Sequence, residues 1–100
     1  MWDELLLEAG LNEREVRSIM ILGSRPRMKA SELAKELNTT RLDAYNSLSR
    51  LQEMGIVTAT ADRPMLFSSL RINEAMEHII NSRKQQLDRL IHGFDDLSKG

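Results

Sequence analysis

Between positions 41 and 50 the chain carries Arg41, Asp43, Asn46, Ser47 and Arg50, side chains whose types and spacing suit hydrogen bonding to base edges. Asp43, Asn46, Ser47 and Arg50 repeat at i, i+3, i+4 and i+7, which in a helix puts them on one face, with Thr40 and Arg41 at its N-terminal tip. Arginine can bond guanine O6 and N7 bidentately, asparagine can do the same with adenine N6 and N7, and serine or threonine can serve bases or phosphates. Arg41, Asn46, Ser47 and Arg50 are therefore the candidate base readers. A polar helix face is also the mark of an ordinary solvated surface, so the weight falls on the elements around it.

Those elements, from Arg25 to Ile72, read as a helix, a turn, a longer helix and a two-stranded hairpin, the order of a winged helix-turn-helix. The first of these helices begins near Ser31, turns Leu33, Ala34 and Leu37 inward and closes at Asn38. The recognition helix, about 40–54, starts at Thr39 or Thr40, either of which can cap it through a hydroxyl, and stops at Gly55. Its inward stripe is Ala44, Leu48 and Leu51, with Tyr45 alongside. The wing, about 56–70, comprises strands Ile56 to Thr60 and Met65 to Leu70 joined by the turn sequence ADRP, with Arg63 at its tip. Arg25, Arg27 and Lys29 flank the start of the first helix; with Thr39, Thr40 and Arg63 they are the candidate phosphate contacts, which position a duplex without reading its sequence. Ahead of this unit, Trp2 to Ala9 reads as a short helix closed by Gly10. Asn12 caps a second helix, Glu13 to Leu22, with Val16, Ile19 and Met20 facing inward, and GSRPR ends it.

From Asn73, read as the N-cap, one long helix runs to about Ser98. Met76, Ile80, Arg83, Leu87, Leu90, Phe94 and Leu97 alternate in steps of four and three, a heptad seam broken only by Arg83. The division is thus a winged domain over residues 1–72 and a coiled-coil-like dimerisation helix over 73–100, with Met76, Ile80, Leu87, Leu90, Phe94 and Leu97 at the interface. The same seam can pack within one chain, against Trp2, Leu5 and Leu6. The fold class expected is mainly α with a small β-hairpin.

Composition agrees. One hundred residues with 41% hydrophobic content suit a single small domain, which buries only about 60–65% of its unfolded surface and leaves room for dimerisation to add stability. No cysteine is present, and His78 and His92 fall outside any metal-ligand spacing, so neither metal nor cofactor is expected. No apolar run approaches the roughly 20 residues that span a bilayer, and the acidic start MWDELLLEAG is unlike a signal peptide. A cytoplasmic, nucleoid-associated protein with no membrane partner and no evident small-molecule effector is expected. Catalysis is not expected: no nucleophile, base and orienting group share a meaningful spacing, and Asp95 and Asp96 lie near a fraying helix end. Residues 1–24 carry two arginines against five acids, residues 25–72 eight bases against five acids, and residues 73–100 four against five. Positive charge is thus concentrated in the reading unit, but its excess of three is modest, and a monomer should hold DNA weakly at physiological salt.

The order GLNEREVRSIMILG, ASELAKELN, TRLDAYNSLSRLQEMGIV, DRPMLF and INEAMEHII resembles the N-terminal domain of the TrmB-like transcriptional regulators, an archaeal and bacterial winged-helix family, over about residues 5–80. The most specific points are Leu11 with Glu15, the SELA of Ser31 to Ala34, Arg41 with Tyr45, Leu48, Leu51 and Gly55, and Arg63-Pro64 ahead of Phe67. The resemblance implies sequence-specific binding to promoter DNA as a homodimer, through the helix containing Arg41 and the wing containing Arg63. Many members carry a C-terminal sugar-binding domain; these hundred residues include none, so no carbohydrate effector is expected of them. Three features depart from the family pattern: Leu42 stands where a small polar residue is common, Asp43 where a basic or neutral one is, and Met65-Leu66 where basic residues often follow the turn. Two classes of function follow. One is a homodimeric transcriptional regulator on double-stranded DNA. The other is a winged-helix protein-interaction module in transcription or chromosome maintenance, using Leu42, Met65 and Leu66.

Overall fold

A computed structural model describes residues 1–100. In chain order the elements are α1 (Trp2–Glu8), α2 (Glu13–Gly23), α3 (Ala30–Leu37), α4 (Arg41–Glu53), β1 (Val57–Ala59), β2 (Phe67–Ser69) and α5 (Ile72–Lys99). Local chemistry sets most boundaries. The Asn12 side-chain oxygen accepts from the Glu15 amide at 2.8 Å while the Asn12 amide donates to the Glu15 carboxylate at 2.8 Å, a capping box that starts α2. Thr40 Oγ1 accepts from the Asp43 amide at 3.1 Å and starts α4. Asn38, at φ 54, closes α3 in the left-handed region. Gly55, at φ 79, closes α4: its amide donates to the Gln52 carbonyl and that of Ile56 to the Leu51 carbonyl, satisfying two orphan acceptors.

The strands pair antiparallel in the register Val57↔Ser69, Thr58↔Ser68 and Ala59↔Phe67. They are shorter than expected at both ends, although the Thr60 amide still reaches the Leu66 carbonyl at 3.0 Å. Phe67 also exchanges two backbone bonds with Met28, at 2.7 and 3.1 Å, so the segment leading into α3 is stitched to the inner strand of the wing.

One core cluster joins every element: Leu6, Ile19, Leu22, Leu33, Leu48, Leu51, Ile56 and Phe67 are its largest fully buried apolar side chains, and Ala75 and Ile79 extend it into the first two turns of α5. Met20 is exposed, contrary to expectation, because α2 buries Val16, Ile19 and Leu22, a stripe that leaves position 20 to one side. Asn73 does not cap α5. Arg71 does, with its amide donating to the Glu74 carboxylate at 2.9 Å, and Ile72 packs on the core in the first turn.

Packing of α1 against α5 buries Leu6, and Arg83 donates to the Ala9 carbonyl where α1 ends. That contact gives the odd arginine of the seam a partner. Met76 is half-buried against the chain's own core. Beyond it the seam is open: Ile80, Leu87, Leu90, Phe94 and Leu97 are 45% to 85% exposed, and Ile91 joins them. No helix is long and apolar enough to cross a membrane.

Candidate nucleic-acid interface

Helix α4 buries Ala44, Ser47, Leu48 and Leu51, positions i, i+3, i+4 and i+7. At 100° per residue this stripe turns Leu42, Asn46 and Ser49 to the opposite side, with Arg41 and Tyr45 exposed on one flank and Asp43 and Arg50 on the other. The outward ridge is thus rotated from the one expected. Ser47, 5% exposed, is packed inside the fold and cannot meet a base edge. Its size was the overlooked signal, since a serine between Ala44 and Leu51 completes an inward stripe without needing to be apolar.

Arg50 is exposed but engaged. Its Nη1 donates to both carboxylate oxygens of Glu15 at 3.1 Å, and Glu15 is 1% exposed. The same carboxylate accepts the Asn12 amide, so one buried charge holds the start of α2 and the outer side of α4 together. Desolvating a carboxylate is costly unless it is paired and hydrogen-bonded, and these contacts supply both. Asp43 accepts from Thr39 Oγ1 at 3.3 Å and lies 3.7 Å from Arg14. Both threonine hydroxyls are therefore occupied with the start of α4. Arg25 forms an ion pair with Glu36, while Arg27 is exposed on the same loop.

Three cations meet at one opening. A cleft of about 230 Å³ lies between the start of α3, the first turns of α4 and the wing, and Lys29, Arg41 and Arg63 all line it. None of the three is in an ion pair. Its floor is apolar, with Tyr45 meeting the buried Phe67 edge-on at 6.5 Å and 86°. The Met28–Phe67 backbone bonds keep Lys29 and the wing in fixed relation. Of the expected contacts, the structure brings together Lys29, Arg41 and Arg63, leaves Asn46 free on the ridge, engages Arg25 and Arg50 elsewhere, and buries Ser47. Unpaired cations around a concave surface raise the local concentration of polyanions.

The chain is similar in structure to TrmBL2, described as an archaeal chromatin protein with a novel mode of DNA binding (TM-score 0.78, 18% identity, 97% of this chain and 38% of that one). It is also similar to RV1404 from Mycobacterium tuberculosis (TM-score 0.64, 14% identity, 91% of this chain and 65% of that one). A third likeness is to ZitR from Lactococcus lactis, solved in complex with DNA (TM-score 0.60, 17% identity, 87% of this chain and 63% of that one). The chain thus spans less than two thirds of each of these proteins, and at such identities the likeness establishes a shared winged-helix fold. No curated protein matches it in sequence. Residues 5–73 match the family model described as sugar-specific transcriptional regulator TrmB.

Proposed function

The chain belongs to the TrmB family of winged-helix transcriptional regulators, and from that premise we propose that it binds double-stranded DNA sequence-specifically as a homodimer. Helix α4 enters the major groove, with Arg41 and Asn46 as base readers. Lys29, Arg27 and the wing residue Arg63 hold the flanking phosphates. The observation that carries this reading is the convergence of Lys29, Arg41 and Arg63, from three separate elements and without acidic partners, on one cleft beside the exposed ridge of α4. Residues 1–72 with the first two turns of α5 form the reading unit. The rest of α5 pairs with a second copy through Ile80, Leu87, Leu90, Phe94 and Leu97, whose exposure leaves an apolar surface that association would remove from water. Two α4 helices then sit about one DNA turn, roughly 34 Å, apart on a palindrome. A dimer also doubles the phosphate contacts that one weakly basic unit supplies. In this role the protein acts in the cytoplasm, on the nucleoid, and carries out no catalysis.

Duplex binding across a salt series tests the proposal. Affinity should fall steeply with salt; Arg63→Ala should weaken binding and flatten the slope by about two, one phosphate contact per subunit, while Arg41→Ala should weaken binding and relax the preference at the base pair it reads. Unchanged affinity in both variants overturns the assignment of those residues. The competing reading, a protein-interaction module, is favoured by the exposure of Leu42 and Met65 beside the cleft; it entails a partner affinity almost indifferent to salt. Sedimentation of the purified chain tests the dimer, which a monomer at micromolar concentration would refute.

A further inference from the structure

The exposed ridge of α4 is apolar at its N-terminal end. Leu42 is 68% exposed in the first turn of the helix, directly opposite the buried stripe, and Asn46 follows it one turn later on the same side. A single exposed leucine ordinarily signifies little. This one has Arg41 as its neighbour and lies beside the cleft lined by Lys29 and Arg63, so the field around it favours a polyanion. Asp43, the nearest acid, is turned to the other flank, where Thr39 and Arg14 hold it.

We propose that Leu42 is a specificity-determining residue: it packs against the C5-methyl group of a thymine in the major groove, while Asn46 reads an adenine one or two base pairs away. The inference rests on the reading of α4 as the helix that enters DNA. Among the four bases only thymine presents a methyl group in that groove; the others show hydrogen-bonding atoms there. A leucine pressed on those atoms would strip them of water and return no bond. The position fits, because the N-terminal residues of a recognition helix are those that meet base edges. Four residues of helix advance about 6 Å, between one and two steps of a duplex that rises about 3.4 Å per pair. Leu42 and Asn46 are therefore spaced for A·T pairs one or two steps apart, and the pairing of an apolar contact with an amide explains why a leucine is tolerated on the outward side of a DNA-facing helix.

The test removes one methyl group at a time. Duplexes selected by the wild-type chain from random DNA are resynthesised with deoxyuridine in place of each thymine in turn, a change that deletes only the C5-methyl. At one position per half-site, deoxyuridine should weaken wild-type binding about fourfold, the effect of losing one buried methyl group. Leu42→Ala should bind the thymine duplex more weakly and show no further loss with deoxyuridine at that position; since Leu42 is exposed, the variant's folding can be verified by its unchanged melting curve. Indifference of the wild type to deoxyuridine everywhere overturns the proposal while leaving DNA binding intact. So does a Leu42→Ala variant with wild-type affinity and wild-type sensitivity, the result expected of a protein-docking face. Failure of the wild type to retain any duplex at low salt overturns the placement of α4 in DNA, and this inference with it.

Discussion

Replacing Arg50 with methionine keeps most of the side chain's length and removes its charge. In the native structure the Glu15 carboxylate, 1% exposed, accepts one backbone bond from Asn12 and two from Arg50 Nη1 at 3.1 Å. The variant leaves that charge with the Asn12 amide alone. Breaking a fully buried pair costs roughly 3–5 kcal/mol. Here the arginine is half exposed, so water can partly replace it, and a loss of about 2 kcal/mol is expected, in line with a hydrogen bond to a charged group. For a domain of this size that corresponds to about 8–16 °C in melting temperature. Chemical denaturation of Arg50→Met, Glu15→Gln and the double variant measures it as a cycle: the double variant should be much less destabilised than the sum of the singles. A parallel selection of bound duplexes should give the wild-type base preference at every position, because Arg50 acts through Glu15. A cost below about 0.5 kcal/mol, or a relaxed preference at one base pair, would refute the reasoning and return Arg50 to the base readers.

Gly55→Ala should cost about 2 kcal/mol in denaturant unfolding, since φ is 79° and a Cβ there would lie 2.7 Å from His78 Nε2, which donates to the Met54 carbonyl at 2.9 Å. Gly93→Ala should do the opposite and raise the melting temperature: its Cβ meets nothing within 4 Å, and alanine gains about 1 kcal/mol over glycine inside a helix. Ser47→Ala should leave duplex affinity and base preference unchanged in the selection assay, because Ser47 faces the core. Phe94→Glu should convert a sedimenting dimer to monomer with little change in the unfolding of the winged unit, since Phe94 touches none of its core.

Helix ends and inward stripes are legible in the sequence because their causes are local. Asn12 with Glu15, Thr40, Asn38 and Gly55 each act within four residues, and Leu33, Leu37, Leu48 and Leu51 fix the faces of α3 and α4. The phase of α4 is not so legible, because Ser47 is polar by type and buried by position. The Asn12–Glu15 box is visible along the chain, yet the partner of Glu15 lies 35 residues away and no local signal leads to it. Arg71 and Glu74 have the spacing of a capping pair, but Asn73 is the better intrinsic cap and masks them. The gathering of Lys29, Arg41 and Arg63 needs the tertiary fold, since their separation along the chain says nothing of a shared cleft.

Helix α5 runs unbroken from Ile72, packed on the core, to Lys99 in solvent, and Ala75, Ile79 and Arg83 clamp its first three turns to the body. No hinge separates head from arm, so whatever grips the far end dictates the angle of α4. The molecule is built like one jaw of a caliper. Inserting a single residue beyond Arg83 would swing the distal apolar ridge about 100° around the helix axis and displace it 1.5 Å, altering the gap measured and the rotational setting together, whereas seven added residues would nearly restore the setting and lengthen the shaft alone.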